Sequence, residues 1–358
     1  MSGHRLAVLA IAAVGLTALP PLGDDSASAV GRNRVVRCGQ PKQCWITAFA
    51  FTPGGNEIFY VERFSGEIRR AAVDGAADRR WAKIGGVATQ GEQGVLGIAL
   101  DPQWDSGPDQ QWVYVYYTER RPLRNRIVRL RKTGKRVVRQ RLASIPATTF
   151  HDGGVIHFGP DGKLYAVTGD AGQPERAQQP SNLGGKVLRL EENGNRPGDN
   201  PIAGSKAFSI GHRNSFGFAF DPQTGSLWQT ENGPDCDDEV NLVLPGHNYG
   251  WGPASDCPNI SESGSDPQQP ELTFNPLIAP TGAAFCKGCG LGPGVEGDLV
   301  MGSYLPDRIY NLSLNAGRNA IDGQDVLYTN STLVLAVEAA PDGRVYFSDP
   351  RGVYRLTG

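Results

Sequence analysis

Apolar and polar positions alternate over short stretches of this chain, and the alternation is broken by tight turns at nearly regular intervals. The stretches read "AFAFTPGGNEIFYVERFSGEIRRA", "GIALDPQWDSGPDQQWVYVYYT", "VIHFGPDGKLYAVTGD", "FGFAFDPQTGSLWQTENG", "IAPTGAAF" with "GDLVMGSYLPDRIYNLSL", and "AVEAAPDGRVYFSDPRGVYRLTG". A period of two puts successive side chains on opposite faces of a strand. Their turns begin near Pro53, Pro102, Pro160, Pro222, Pro280 and Pro341, a spacing of roughly 50 to 60 residues. In a Pro-Asp-Gly turn, proline fixes φ at the first central position and glycine accepts a positive φ. Short strands repeated at this period predict a propeller with one four-stranded antiparallel blade per copy. Six copies predict an all-β, six-bladed β-propeller, and no long helical periodicity competes.

The N-terminus changes the picture of where this propeller works. His4 and Arg5 precede an apolar run from Leu6 to Leu19, and Ala27-Ser28-Ala29 follows. That is the layout of a secretory signal peptide over residues 1–29, leaving residues 30–358 as a single propeller domain, exported to a periplasmic or extracellular space. The run is shorter than the ~20 residues that span a bilayer, so stable membrane insertion is not expected. Removing Arg5, Asp24 and Asp25 takes 35 basic and 37 acidic residues to 34 and 35. A net charge near zero argues against nucleic acid as a partner. The basic stretch "RNRIVRLRKTGKRVVRQRL" therefore reads as a hairpin turning at "KTGK" with one solvated face.

Six cysteines, at 38, 44, 236, 257, 286 and 289, read as disulfides in an exported chain. The simplest pairing joins sequence neighbours: Cys38 with Cys44, Cys236 with Cys257, and Cys286 with Cys289. Other connectivities are equally allowed by count alone.

Propellers carry function on loops at a channel mouth, where blades converge. Four segments are richer in polar, glycine and aromatic residues than blade strands need: "GEQGVLGIALDP", "HDGGVIHFGPDG", "GHRNSFGFAFDP" and "ENGPDCDDEVNLVLPGHNYGWG". A neutral imidazole at His151 suits a general base near neutral pH. The run "PDCDDE" places four carboxylates in six positions, and a divalent cation would relieve their repulsion. His157 sits between apolar neighbours in a strand and reads as structural, and His212 reads as a residue that orients its loop.

These segments, in this order, resemble the soluble glucose/sorbosone dehydrogenase family, six-bladed propellers that include aldose dehydrogenases dependent on pyrroloquinoline quinone (PQQ). The resemblance runs from "FAFTPGG" to "GVYRLTG" and is most specific over 151–252. It implies that His151 removes the proton from the anomeric hydroxyl of a sugar as hydride passes to PQQ. It implies that Arg213 lies beside the quinone oxygens, as both a catalytic and a cofactor-binding residue, with Glu92 and Phe274 also contacting the cofactor. The backbone carbonyls of Gly233 and Pro234 match ligands of a Ca²⁺ that polarises PQQ, and Glu239 and Tyr249 match ligands of a second, structural Ca²⁺. A small-molecule sugar and an external electron acceptor would be the partners.

The resemblance breaks at several cations. Relatives place a lysine in the fifth blade where this chain has Tyr304 or Leu305, and an arginine pair where it has Leu333 and Leu335. Arg308 and Lys287 are the nearby substitutes. Phe150 stands where a polar residue is usual. Since PQQ carries three carboxylates, two readings remain: an exported PQQ-dependent aldose dehydrogenase, or a non-enzymatic, Ca²⁺-stabilised propeller that binds carbohydrate or protein.

Overall fold

The computed structural model describes residues 30–39 and 44–358. The signal-peptide expectation for residues 1–29 lies outside the described residues.

Among the described residues, twenty-four strands form six four-stranded antiparallel sheets arranged as blades around a central channel. Strand β1 (Gly31–Arg37) comes first in sequence but belongs to the last blade. Blade 1 is β2 (Ile46–Phe51), β3 (Glu57–Glu62), β4 (Glu67–Ala72) and β5 (Arg79–Lys83). Blade 2 is β6 (Val95–Leu100), β7 (Val113–Arg120), β8 (Leu123–Thr133) and β9 (Arg136–Ile145). Blade 3 is β10 (Ile156–Phe158), β11 (Leu164–Thr168), β12 (Lys186–Leu190) and β13 (Ala207–Ile210). Blade 4 is β14 (Gly217–Phe220), β15 (Leu227–Glu231), β16 (Asp238–Val243) and β17 (Leu272–Phe274). Blade 5 is β18 (Pro280–Phe285), β19 (Leu299–Ser303), β20 (Arg308–Leu314) and β21 (Ile321–Thr329). Blade 6 is β22 (Ala336–Ala339), β23 (Val345–Asp349) and β24 (Gly352–Thr357), completed by β1, which pairs Gly31 with Thr357 and Arg37 with Gly352. The ring is thus closed by hydrogen bonds between the two ends of the described chain, which join within blade 6.

Blades pack face to face, so inner strands are buried on both faces and read as continuous apolar runs, as in "VLGIAL" of β6. One core cluster joins Phe59, Trp81 and Trp104 to Val115 and Tyr117 across blades 1 and 2. Outer strands regain a polar face, and β8 with β9 forms the basic hairpin expected from the sequence, turning at Gly134-Lys135. Near the axis the strands approach too closely for side chains. A Cβ on Gly97 would lie 2.1 Å from the Gly154 carbonyl oxygen, and one on Gly217 would lie 2.0 Å from that of Thr281. The three disulfides are Cys38–Cys44, Cys236–Cys257 and Cys286–Cys289.

One repeat was misplaced by the sequence pattern. Pro280 opens β18 rather than a turn, and the corresponding connection is residues 286–298, which carries the Cys286–Cys289 disulfide. The turns after the first strand of each blade all lie at one end of the channel, the rear mouth. Loops entering each blade's first strand, and those joining its second and third strands, lie at the front mouth. Between the two ends the inner strands of all six blades close the channel to a cavity of about 10 Å³. A rear cavity of about 510 Å³ is lined by Phe158, Phe220, Lys287, Glu338 and Asp342. His157 and Glu338, from opposite blades, meet at its floor with Nε2 and Oε1 3.4 Å apart, and burial holds the His157 pKa down at about 4. His157 is therefore a neutral residue of the channel lining. Among the described residues no helix is long and apolar enough to cross a membrane.

Candidate active site at the front mouth

The loop from β9 to β10 turns sharply at His151, whose φ is +58°, and continues through Gly153 and Gly154 at +61° and +133°. A non-glycine residue in the left-handed region needs support from its surroundings. Glu92, in the loop entering β6, supplies it. Its Oε2 accepts hydrogen bonds from the backbone N–H of His151 (2.7 Å) and Asp152 (3.3 Å) and from Asn214 Nδ2 (3.1 Å). Asn214 Oδ1 in turn accepts from the Gly153 N–H at 3.2 Å. The opposing loop after β11 presses directly on this turn, because Gly169 has no Cβ to strike the His151 carbonyl, which would be 2.0 Å away.

That contact brings Asp170 under the imidazole. Asp170 Oδ1 lies 2.7 Å from His151 Nδ1 and accepts the Gly172 N–H at 2.7 Å, while Oδ2 accepts Trp251 Nε1–H at 2.8 Å. A carboxylate fixed by those donors can only accept from the ring, so Nδ1 carries the proton and Nε2 is the basic nitrogen. The imidazole is largely but not wholly covered, with its side chain 14% exposed. Phe150, 44% exposed, stands edge-on to it at 5.0 Å.

Arg213 comes from the "GHRN" loop and lies 5.3 Å above the Trp251 ring. Its backbone carbonyl accepts the Asp170 N–H at 2.9 Å, and its Nη1 donates to the Asn232 carbonyl at 2.9 Å. Its buried Nε has no partner among the described residues. Burial lowers the Arg213 pKa, opposed by the charges of Asp170, Glu92, Glu231 and Asp238. His212 beside it is fully buried, its ring held between Ser209 Oγ and Glu231 Oε2 and stacked on Tyr249.

Gly233 and Pro234 follow β15 at the same mouth. The Gly233 N–H donates to Asp238 Oδ1 at 2.9 Å, and Asp238 Oδ2 accepts the Ile278 and Ala279 N–H groups. Neither the Gly233 nor the Pro234 carbonyl accepts a hydrogen bond from the described residues. The acidic run is not one cation cage: Asp235 is exposed, Asp238 binds backbone amides, and Glu239 turns to the blade's other face.

Glu239 accepts from Ser261 Oγ at 2.8 Å and Asn241 Nδ2 at 3.0 Å, opposite Glu231 on β15. Burial, and then the Glu231 charge, push its pKa up. Nearby Gln229 and Asn241, paired across the same strands, each keep a buried carbonyl oxygen without a partner among the described residues. Two carboxylates and two unsatisfied amide oxygens form a donor set suited to a hard cation such as Ca²⁺. The Tyr249 hydroxyl is not available to it, since it donates to the Leu242 carbonyl and accepts from the Leu244 N–H, so Tyr249 could offer only its backbone oxygen.

Two expectations need correction. Phe274 is buried in the core beside Tyr310 and Trp228 and does not join the mouth surface. Lys287 lies at the rear mouth, on the wrong side of the channel constriction. Sequence reasoning also missed Trp251, signalled only by "NYGWG", and Arg63, in the loop after β3.

Residues 42–353 match the glucose/sorbosone dehydrogenase family. The chain belongs to that family. It is similar to quinoprotein glucose dehydrogenase B of Acinetobacter calcoaceticus, 32% identical over 232 residues, covering 55% of this chain and 48% of that protein. The chain thus spans about half the length of that relative. Among solved structures, a Thermus thermophilus oxidoreductase described as a glucose dehydrogenase is 33% identical, with a TM-score of 0.78, covering 92% of this chain and 100% of the other. The PQQ-bound aldose sugar dehydrogenase of Streptomyces coelicolor is 28% identical, with the same TM-score and coverage of 92% and 98%. The front mouth carries a supported histidine, a cation with an N–H unsatisfied among the described residues, and backbone carbonyls that accept no hydrogen bond from them. That donor set fits an anionic quinone held against a divalent cation.

Proposed function

We propose that this protein is an exported, PQQ-dependent aldose dehydrogenase that oxidises a sugar hemiacetal at its anomeric carbon to a lactone. The observation that carries this reading is the His151–Asp170 pair, which leaves a basic Nε2 at the same mouth as Arg213. Arg213, Glu92 and the Gly233 and Pro234 carbonyls, through Ca²⁺, would hold the cofactor. Bound PQQ would supply the acceptor for the anomeric hydride. His151 Nε2 takes the proton from the anomeric hydroxyl, and Asp170 stabilises the imidazolium that results. Arg213, with its N–H donors in a largely buried setting, stabilises negative charge opposite the base. Trp251 fixes both partners, donating to Asp170 and lying under Arg213.

The test is turnover of aldoses deuterated at C1, with product identification. The proposal expects a lactone, a primary isotope effect, and loss of turnover in His151→Ala. A recognition propeller is the second reading, favoured by the apolar front-mouth residues Leu333 and Leu335 and by exposed Phe150 and Leu305. It expects no turnover with any aldose.

A further inference from the structure

The front loops of blades 5 and 6 present Tyr304, Leu305, Leu333 and Leu335 at the positions where the family resemblance expects cations. We infer that Arg63, from the β3–β4 loop of blade 1, is a carboxylate-binding residue of the mouth and takes the place of the cation that blade 5 lacks. The inference rests on the reading of this mouth as the PQQ site.

Arg63 is held rather than free. Its Nε donates to the Gln93 carbonyl at 3.1 Å and its Nη2 to the Gly91 carbonyl. Its guanidinium lies over the rings of Trp45 and Phe64, at 5.4 and 4.9 Å. These contacts order the side chain before any ligand arrives, which lowers the entropic cost of binding. Of the five N–H donors of a guanidinium, two are used by loop carbonyls, and the rest remain for a ligand. The planar fork suits a carboxylate better than an ammonium does.

Its hydrogen bonds to the Gln93 and Gly91 carbonyls set the guanidinium against the loop that enters β6, beside Glu92. Blades 1 and 5 are separated in the ring by blade 6. Arg63 and Tyr304 nevertheless occupy the equivalent loop of their blades, the one joining second strand to third at the front mouth. Arg63 thus presents its charge at the same mouth as a blade 5 lysine at Tyr304 would. It also sits beside the loop of Glu92, the residue that supports the His151 turn.

A group that acts only by anchoring residues 91–93 would affect folding, whereas a binding cation can be relocated. The experiment titrates Ca²⁺-loaded protein with PQQ by absorbance, for wild type, Arg63→Lys, Arg63→Gln, Tyr304→Lys and the Arg63→Gln/Tyr304→Lys double variant, with thermal unfolding alongside. Arg63→Gln should weaken binding about 10- to 100-fold, as expected for one charge-assisted contact. Arg63→Lys, which keeps the charge but loses the fork, should fall between wild type and Arg63→Gln, and the double variant should recover most of the lost affinity. Binding of Arg63→Gln within twofold of wild type, or a loss that neither lysine restores, would overturn the inference. Absence of wild-type binding is a separate result that defeats the dehydrogenase reading itself.

Discussion

His151 Nδ1 lies 2.7 Å from Oδ1 of Asp170, a carboxylate with no solvent exposure that also accepts hydrogen bonds from Trp251 and the Gly172 amide. Asp170 is thereby a positioning residue for the base. Asp170→Asn would let the ring adopt the other tautomer, so kcat should fall about a hundredfold or more. PQQ affinity should change little. Steady-state kinetics beside a PQQ titration separates the two effects, and a parallel fall in affinity would contradict this role.

Asp152 adjoins the base but faces the core, where Oδ1 accepts from Asn125 and Thr148 and Oδ2 has no partner among the described residues. Burial raises its pKa to about 7, against a lowering by the Asn125 hydrogen bond. In the unfolded chain it titrates near 4. Between those values the folded state holds more protons, so the contribution to stability is full below about pH 4 and is lost as pH rises through about 7. The loss is at most about 4 kcal/mol. Asp152→Asn should gain on wild type between pH 4.5 and pH 8 in urea unfolding, roughly in step with that titration. A difference that does not change with pH would show that Asp152 titrates normally.

Glu239, Glu231 and the unpartnered oxygens of Gln229 and Asn241 predict a stabilising cation between blades 3 and 4. Added Ca²⁺ should raise the thermal midpoint, by about 2.7 kcal/mol of stabilisation at a hundredfold excess over Kd. Glu239→Gln should abolish most of that rise while folding normally in chelator. An equal rise in the variant would place the cation elsewhere.

Lys186 is fully buried, and its ammonium donates to the carbonyls of Arg176, Ala177 and Gly184 at 2.6, 2.9 and 2.8 Å. It holds the 170–185 loop that presents Asp170. Lys186→Met would leave those carbonyls unsatisfied, at a cost of about 2–4 kcal/mol. Denaturant unfolding measures it, and the loop should become more sensitive to protease.

The blade repeat was readable because Pro-Asp-Gly turns and period-two runs are local features of sequence. It failed at Pro280 because blade 5 replaces its compact turn with the disulfide-bearing 286–298 connection. The membership of β1 in blade 6 was hidden as well, since it depends on pairing across the whole described chain. His151 and Arg213 were found through motifs, while Asp170, Trp251 and Arg63 gained meaning only when distant loops converged. The acidic run misled for a simple reason: Asp238 and Glu239 are neighbours in a strand and must point to opposite faces. Phe274 was placed by resemblance, but its strand is the outermost of its blade and its ring fills the core.

The most direct test of the central claim is an absorbance titration of purified, Ca²⁺-loaded wild-type protein with PQQ, followed by aldose addition and reduction of an artificial dye. The account predicts saturable binding and aldose-dependent dye reduction that disappears in His151→Ala. Absence of binding at high micromolar PQQ would contradict it and leave a recognition propeller as the better description.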